Sequence, residues 1–164
     1  MQSRASRDRT DRASLVVEAE PRRVFRAFSD GESLMAWLPP GQMTGRALQY
    51  EFREGGRYRI ELTYTGSTGP QSGKTTSNTD VSAGRFVSIE PSKRIVQTVE
   101  FESSDASFSG EMLMIWTFEV VPSGTNVVIT AQHVPPGISE KDHREGLRAS
   151  LQNLSKYLAA SDAG

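Results

Sequence analysis

The sequence predicts an α+β domain: an antiparallel β-meander covered by one long C-terminal helix, with two short helices after the first strand. Three observations predict it. The hydrophobic period changes from about 3.6 to 2 in the middle of the chain. The strand-like runs there are joined by short turns, which forces antiparallel neighbours. Near the C-terminus Leu147, Leu151, Leu154 and Leu158 recur at i, i+4, i+7 and i+11, the stripe of a helix with one apolar face.

The elements follow in order. Leu15 to Glu18 is a short β-leaning run, and Pro21 after it suits a first helical turn. Val24, Phe25 and Phe28 then fall at helical spacing, which predicts a helix over residues 21–30, broken by Asp30-Gly31. Leu34, Met35, Trp37 and Leu38 make a second helical turn, stopped by Pro39-Pro40-Gly41. Gly55-Gly56 is a turn signal. After it Tyr58, Ile60, Leu62 and Tyr64 alternate with Arg57, Arg59, Glu61 and Thr63, a strand with one wet face, and residues 46–52 are its hairpin partner.

Phe86 to Ile89 and Ile95 to Phe101 form a second pair, turning at Glu90–Lys93. Met112, Met114, Trp116, Phe118 and Val120 share one face of a long strand. Pro122 to Thr125 turns it into Asn126–Gln132, with Val127 and Ile129 inward. The last helix runs over about residues 140–160, about 31 Å at 1.5 Å per residue. It starts at Ser139 in a capping-box-like Ser-Glu-Lys-Asp. Gly146 interrupts it at a cost of up to ~1 kcal/mol, which close approach to a strand or loop would compensate.

Composition narrows the function. The chain has 164 residues, 19 basic and 20 acidic side chains and a formal charge of −1. Such a length suits one domain, placed at 10–164, with residues 1–9 as a flexible N-terminal arm. The polarity of Met1 to Arg12 suggests a frayed, solvated tail whose arginines are offset by Asp8 and Asp11. A near-neutral chain lacks the positive field that nucleic-acid binding needs. No run reaches the ~20 apolar residues of a membrane helix, and no signal-peptide core is present, so a cytoplasmic location is expected. Cysteine is absent, which excludes disulfides, thiol nucleophiles and thiolate metal sites.

Residues 66–80 hold no hydrophobic side chain and read as a long, flexible hairpin loop, a candidate for a functional role. Gly73-Lys74-Thr75 matches the end of a phosphate loop, but Thr68 stands at the first glycine position and no amphipathic helix follows. Nucleotide binding is not expected. His133 and His143 are the sole histidines, and no convergent set of three or four ligands is visible, so no metal or cofactor is expected. His143 reads as a solvated or capping residue. Arg57, Arg59, Glu61 and Glu119 belong to the outer face.

Over about residues 10–160 the chain resembles the START-like, or SRPBCC, superfamily, and within it the Aha1-like family named for the activator of Hsp90 ATPase. The pieces are Ala19-Glu20-Pro21 with Val24-Phe25 and Ala27-Phe28, Trp37-Leu38-Pro39-Pro40-Gly41, and Gly55-Gly56-Arg57-Tyr58-Arg59. Then come Gly84 with Phe86-Val87-Ser88-Ile89-Glu90-Pro91, Lys93-Arg94-Ile95-Val96, Thr117-Phe118-Glu119 and Gly124-Thr125. Val134-Pro135-Pro136-Gly137-Ile138 leads through Asp142-His143 and Gly146 to Leu151. The resemblance implies the helix-grip fold, in which a curved antiparallel sheet grips the C-terminal helix. Leu38 and Gly146-Leu147 depart from it, since the family often has tryptophan at positions 38 and 147.

A bent sheet cannot lie flat on a straight helix, so the gap is filled by side chains or by a ligand. The candidate ligand-binding residues are Trp37, Tyr58, Ile60, Leu62, Phe86, Gln97, Met112, Met114, Trp116, Leu147, Leu151 and Leu154. Gln97 and His133 share the inward phase of their strands, and Tyr58 and Tyr64 add hydroxyls. His133 is the weak candidate for a general base. The expected function is binding of a small hydrophobic or aromatic molecule, a lipid or polyketide for example. The resemblance implies two alternatives: an Hsp90-type co-chaperone or stress-response partner, or a polyketide cyclase or aromatase-like enzyme using His133, Tyr58 and Gln97. Expected partners are a small hydrophobic molecule and, under the first alternative, a chaperone. Neither nucleic acid nor membrane insertion is expected, and a monomer or homodimer fits equally.

Overall fold

The computed structural model of the chain describes residues 9–41, 43–65, 73–76 and 78–163. Its strands are β1 (Thr10–Val17), β2 (Met43–Tyr50), β3 (Arg57–Tyr64), β4 (Thr79–Glu90), β5 (Arg94–Phe101), β6 (Met112–Val121) and β7 (Gly124–Gln132). Helices α1 (Pro21–Arg26) and α2 (Gly31–Met35) separate β1 from β2, and α3 (Glu140–Ala163) ends the chain. All seven strands join one curved antiparallel sheet in the order β1-β7-β6-β5-β4-β3-β2. Consecutive hairpins build that order from β2 to β7, and β1 closes it beside β7. This is the helix-grip arrangement the sequence predicts. Among the described residues no helix is long and apolar enough to cross a membrane.

The local signals act as physical chemistry requires. Pro21 occupies the first turn of α1, where its missing N–H is not needed. Asp30 does not merely end α1. It caps α2, its Oδ1 accepting from the Ser33 N–H at 2.8 Å. Ser139 caps α3 by accepting from the Asp142 N–H at 3.2 Å. Leu147, Leu151, Leu154 and Leu158 are all buried, so the stripe faces the sheet.

Some expectations change. β1 begins at Thr10 rather than near Leu15, because Thr10, Asp11 and Arg12 pair with Gln132, Ala131 and Thr130 of β7. Asp11, expected on a solvated tail, is fully buried. The proposed arm otherwise falls on residues 1–8, outside the described residues. Most of the 66–80 loop, residues 66–72 and 77, also lies outside them. Within the loop's other end, Thr79 and Asp80 belong to β4 and Asp80 is buried. Val120, expected on the inner face of β6, is 73% exposed at the strand's end. Gly146 approaches neither strand nor loop: a Cβ added there meets no atom within 4 Å.

The ladder between β4 and β5 is interrupted at Gly84 and Arg85. A Cβ on Gly84 in β4 would collide with the Thr98 backbone carbonyl of β5. The Arg85 N–H is satisfied by Thr98 Oγ1 at 3.0 Å instead of by a backbone carbonyl. The Thr98 carbonyl accepts from the Tyr58 hydroxyl on β3. A register shift follows between Phe86 and Ser88. One side-chain hydroxyl and one phenol thus replace ladder bonds, so the backbone groups stay paired where the strands diverge.

An aromatic cluster anchors one end of the core. The Phe28 ring lies 4.9 Å from Trp37, 4.8 Å from Trp116 and 5.3 Å from Phe118, all edge to face, the geometry favoured by ring quadrupoles. Trp37 donates its indole N–H to the Ala27 carbonyl at 3.0 Å. The elbow after it is tied to α3: the Ser150 hydroxyl donates to the Leu38 carbonyl at 2.7 Å and the Asn153 amide to the Pro39 carbonyl at 3.0 Å.

Candidate functional site

Between the inner face of the sheet and α3 lies a cavity of about 640 Å³, within the usual range for small-molecule sites. Its apolar wall includes Ile60, Leu62, Val99, Met112, Met114 and Trp116 from the strands, Phe28 and Leu34 from the first helical region, and Leu147 from α3. These positions follow from period-two alternation in β3 and β6, which turns every second side chain inward. Asp142 and Glu145 on the first turns of α3, with Gly41 of the elbow, are exposed and also line it, so the mouth lies there.

Of the candidate residues, Tyr58, Ile60, Leu62, Gln97, Met112, Met114, Trp116 and Leu147 line this cavity. Trp37, Phe86, Leu151 and Leu154 are buried instead among neighbouring core side chains. Phe86, for example, is ringed by Tyr50, Phe52 and Tyr58 at 5.5, 5.2 and 5.4 Å. His133 is not at the cavity. It is exposed just after β7, with a positive φ of 61° that breaks the strand's alternation. Leu38 and Leu147, the two positions at which the resembled family often carries tryptophan, both line the cavity, and Gly146 lies between Leu147 and the mouth residue Glu145.

The wall's polar groups are largely engaged by the protein itself. Tyr50 donates its hydroxyl to the Phe28 carbonyl at 2.6 Å, and burial pushes its pKa up. Tyr58 donates to the Thr98 carbonyl. Its pKa is raised by burial, against a smaller opposite pull from hydrogen bonding with Gln97. Trp116 gives its indole N–H to Gln97 Oε1 at 3.1 Å. Lys74, the residue of the phosphate-loop lookalike, is held by Asp80. Its backbone N–H bonds Oδ1 at 2.6 Å and its ammonium bonds Oδ2 at 2.9 Å, 4.8 Å from the Phe101 ring centre. That ion pair leaves the lysine no bare charge to offer a phosphate.

His143 is the polar feature that sequence reasoning placed wrongly. Expected as solvated or capping, it is 13% exposed and lines the cavity. Its Nδ1 lies 2.7 Å from Asp11 Oδ2, which also accepts from the Arg9 guanidinium at 3.0 Å. Burial pushes the imidazole pKa below its ordinary value. The Asp11 hydrogen bond and charge pull it up, and the charges of Arg9 and Lys74 push it down again.

A pH dependence follows. The unfolded chain takes up this proton near pH ~6.5, while the folded protein resists it. The associated stability is therefore complete above the ordinary imidazole pKa and is lost as pH falls below it, until the folded imidazole itself protonates. The urea midpoint is expected to drop between pH 7.5 and 5.5, and His143→Gln to remove much of that drop. An unchanged drop in His143→Gln would mean that other groups cause it.

Comparison with known proteins adds a family and a fold. The family described as activator of Hsp90 ATPase homolog 1-like protein matches residues 18–159. No curated protein matches the chain. The X-ray structure of a protein from Chromobacterium violaceum is 29% identical, with a TM-score of 0.80 over 91% of this chain and 96% of that one. A crystal structure from Rhodobacter sphaeroides is 21% identical, covering 92% of each chain at a TM-score of 0.72. A solution NMR structure of an AHSA1-like protein from Aeromonas hydrophila is 16% identical, covering 95% and 96% at a TM-score of 0.71. At those two identities the likeness is one of fold.

Proposed function

Because the chain belongs to the activator of Hsp90 ATPase homolog 1-like family, we propose that it binds a small hydrophobic or aromatic molecule between its sheet and its C-terminal helix. The observation that carries this reading is the apolar cavity of about 640 Å³ walled by Met112, Met114 and Trp116. Native interiors are otherwise close-packed. Two adaptable thioethers beside an indole suit an apolar guest of variable outline. Gly146 supports the reading: it lines the cavity, weakens its helix and packs against nothing that requires a glycine.

The test is a thermal-shift and native mass-spectrometry screen of apolar and aromatic compounds. A native-state ligand at 100 times its Kd stabilises by about 2.7 kcal/mol, a readily measured rise in melting temperature. Met114→Trp, which fills the space, is expected to abolish that rise while leaving the fold intact. Failure of every compound to stabilise the wild-type protein would remove the reading.

A co-chaperone role is the second reading, supported by the family's description. Its partner surface would be the outer sheet face, where Val16 and Val87 are exposed. It predicts a change in Hsp90 ATPase rate on addition of the protein, and an unaltered rate sinks it.

A further inference from the structure

The cavity's polar end has a sign. Asp11 is fully buried and places one oxygen, Oδ2, between two donors: the Arg9 guanidinium at 3.0 Å and His143 Nδ1 at 2.7 Å. Its other oxygen has no hydrogen-bond partner among the described residues. A buried carboxylate needs a counter-charge, and Arg9 supplies it. The imidazole therefore need not be protonated to neutralise Asp11. As a neutral ring it donates from Nδ1 to the carboxylate, which leaves a lone pair on Nε2 of a side chain that lines the cavity.

The other wall groups point to the same chemistry. The donors of Tyr50, Tyr58, Trp116 and Ser150 are spent on protein acceptors, the Lys74 ammonium is held by Asp80, and the Gln97 side chain is engaged by Trp116 and Tyr58. Among the described residues the charged groups along the wall are one cation, already paired with Asp80, and the carboxylates Asp80, Asp142 and Glu145. The hydroxyls of Tyr64 and Ser82, which also line it, can donate or accept. A ligand carboxylate would leave water to meet a lone pair and a negative rim, whereas a hydroxyl would meet an unused acceptor.

We propose that the Asp11–His143 pair makes this end of the cavity an acceptor site, selecting apolar or aromatic molecules that carry a neutral hydroxyl and rejecting the corresponding acids. The inference rests on the cavity-binding reading above and sharpens it. Arg9 and Asp11 act as positioning residues, holding the ring in one tautomer. Burial, Asp11, Arg9 and Lys74 act on the charge of His143, and Asp80, Asp142, Glu145 and Tyr64 are the other titratable groups that line the same cavity.

The test uses four probes with one apolar body: naphthalene, 2-naphthol, 2-methoxynaphthalene and 2-naphthoate, titrated into the full chain at pH 7.5. The expected result is 2-naphthol bound at least about fivefold tighter than 2-methoxynaphthalene, the scale of one net hydrogen bond, with 2-naphthoate weakest. In His143→Phe the preference is lost and 2-methoxynaphthalene binds within about twofold of its wild-type affinity. A 15N histidine spectrum of the free protein, which needs no ligand, is expected to show His143 protonated at Nδ1 alone. Asp11→Asn is expected to mix the tautomers.

Naphthalene binding without a 2-naphthol preference overturns this inference and leaves the cavity reading standing. So does a preference that survives His143→Phe, or an Nε2-protonated ring in the free protein. If none of the four probes binds, the cavity reading falls and this inference falls with it.

Discussion

Gly84→Ala is expected to destabilise the protein by about 3 kcal/mol, the upper end of the cost of forcing extra atoms into a packed interior. The added methyl would meet the Thr98 backbone carbonyl, which cannot swing aside like a side chain. That carbonyl also receives the Tyr58 hydroxyl, and the Thr98 side chain receives the Arg85 N–H. Pushing the two strands apart therefore disturbs both substitutes for the ladder. The effect is steric, since Gly84 is not among the glycines with positive φ. Gly146→Ala is the control. It meets nothing within 4 Å, so it is expected to stabilise by up to ~1 kcal/mol through helix propensity. Urea denaturation of both variants reads the contrast, and equal effects at the two positions would discredit this account of the bend.

That contrast shows which parts of the molecule a one-dimensional reading reaches. Alternation in Tyr58, Ile60, Leu62 and Tyr64 carries its own period, and all four line the cavity. The leucine stripe of α3 is equally local. Asp11 and His143 are 132 positions apart, and no spacing rule connects them. Asp11 reads as tail because Met1 to Arg12 is a polar run; its place is fixed by pairing with β7, a tertiary effect that overrides local preference. His133 failed for a related reason. The alternation of β7 stops at Gln132, and φ turns positive at His133. Gly84 did carry a signal, since a lone glycine within a strand often marks close backbone approach. Which carbonyl it approaches depends on the β4–β5 register, and that is a property of the folded sheet.

The largest hydrophobic losses are expected along the leucine stripe of α3, and they should not be equal. Leu151 is fully buried in the core, whereas Leu147 lines the cavity. Truncating a buried leucine to alanine costs roughly 2–5 kcal/mol, rising with the void left behind. Leu151→Ala opens a new void among packed neighbours and is expected near the top, about 4 kcal/mol by that scale. Against a typical total stability of about 5–15 kcal/mol this endangers the fold. Leu147→Ala extends space that already exists, so fewer contacts are lost and about 2 kcal/mol is expected. Denaturation midpoints with matched m-values measure both. If Leu147→Ala costs as much as Leu151→Ala, the side chain at 147 is as tightly surrounded as the one at 151, and the space between sheet and helix is closed in solution.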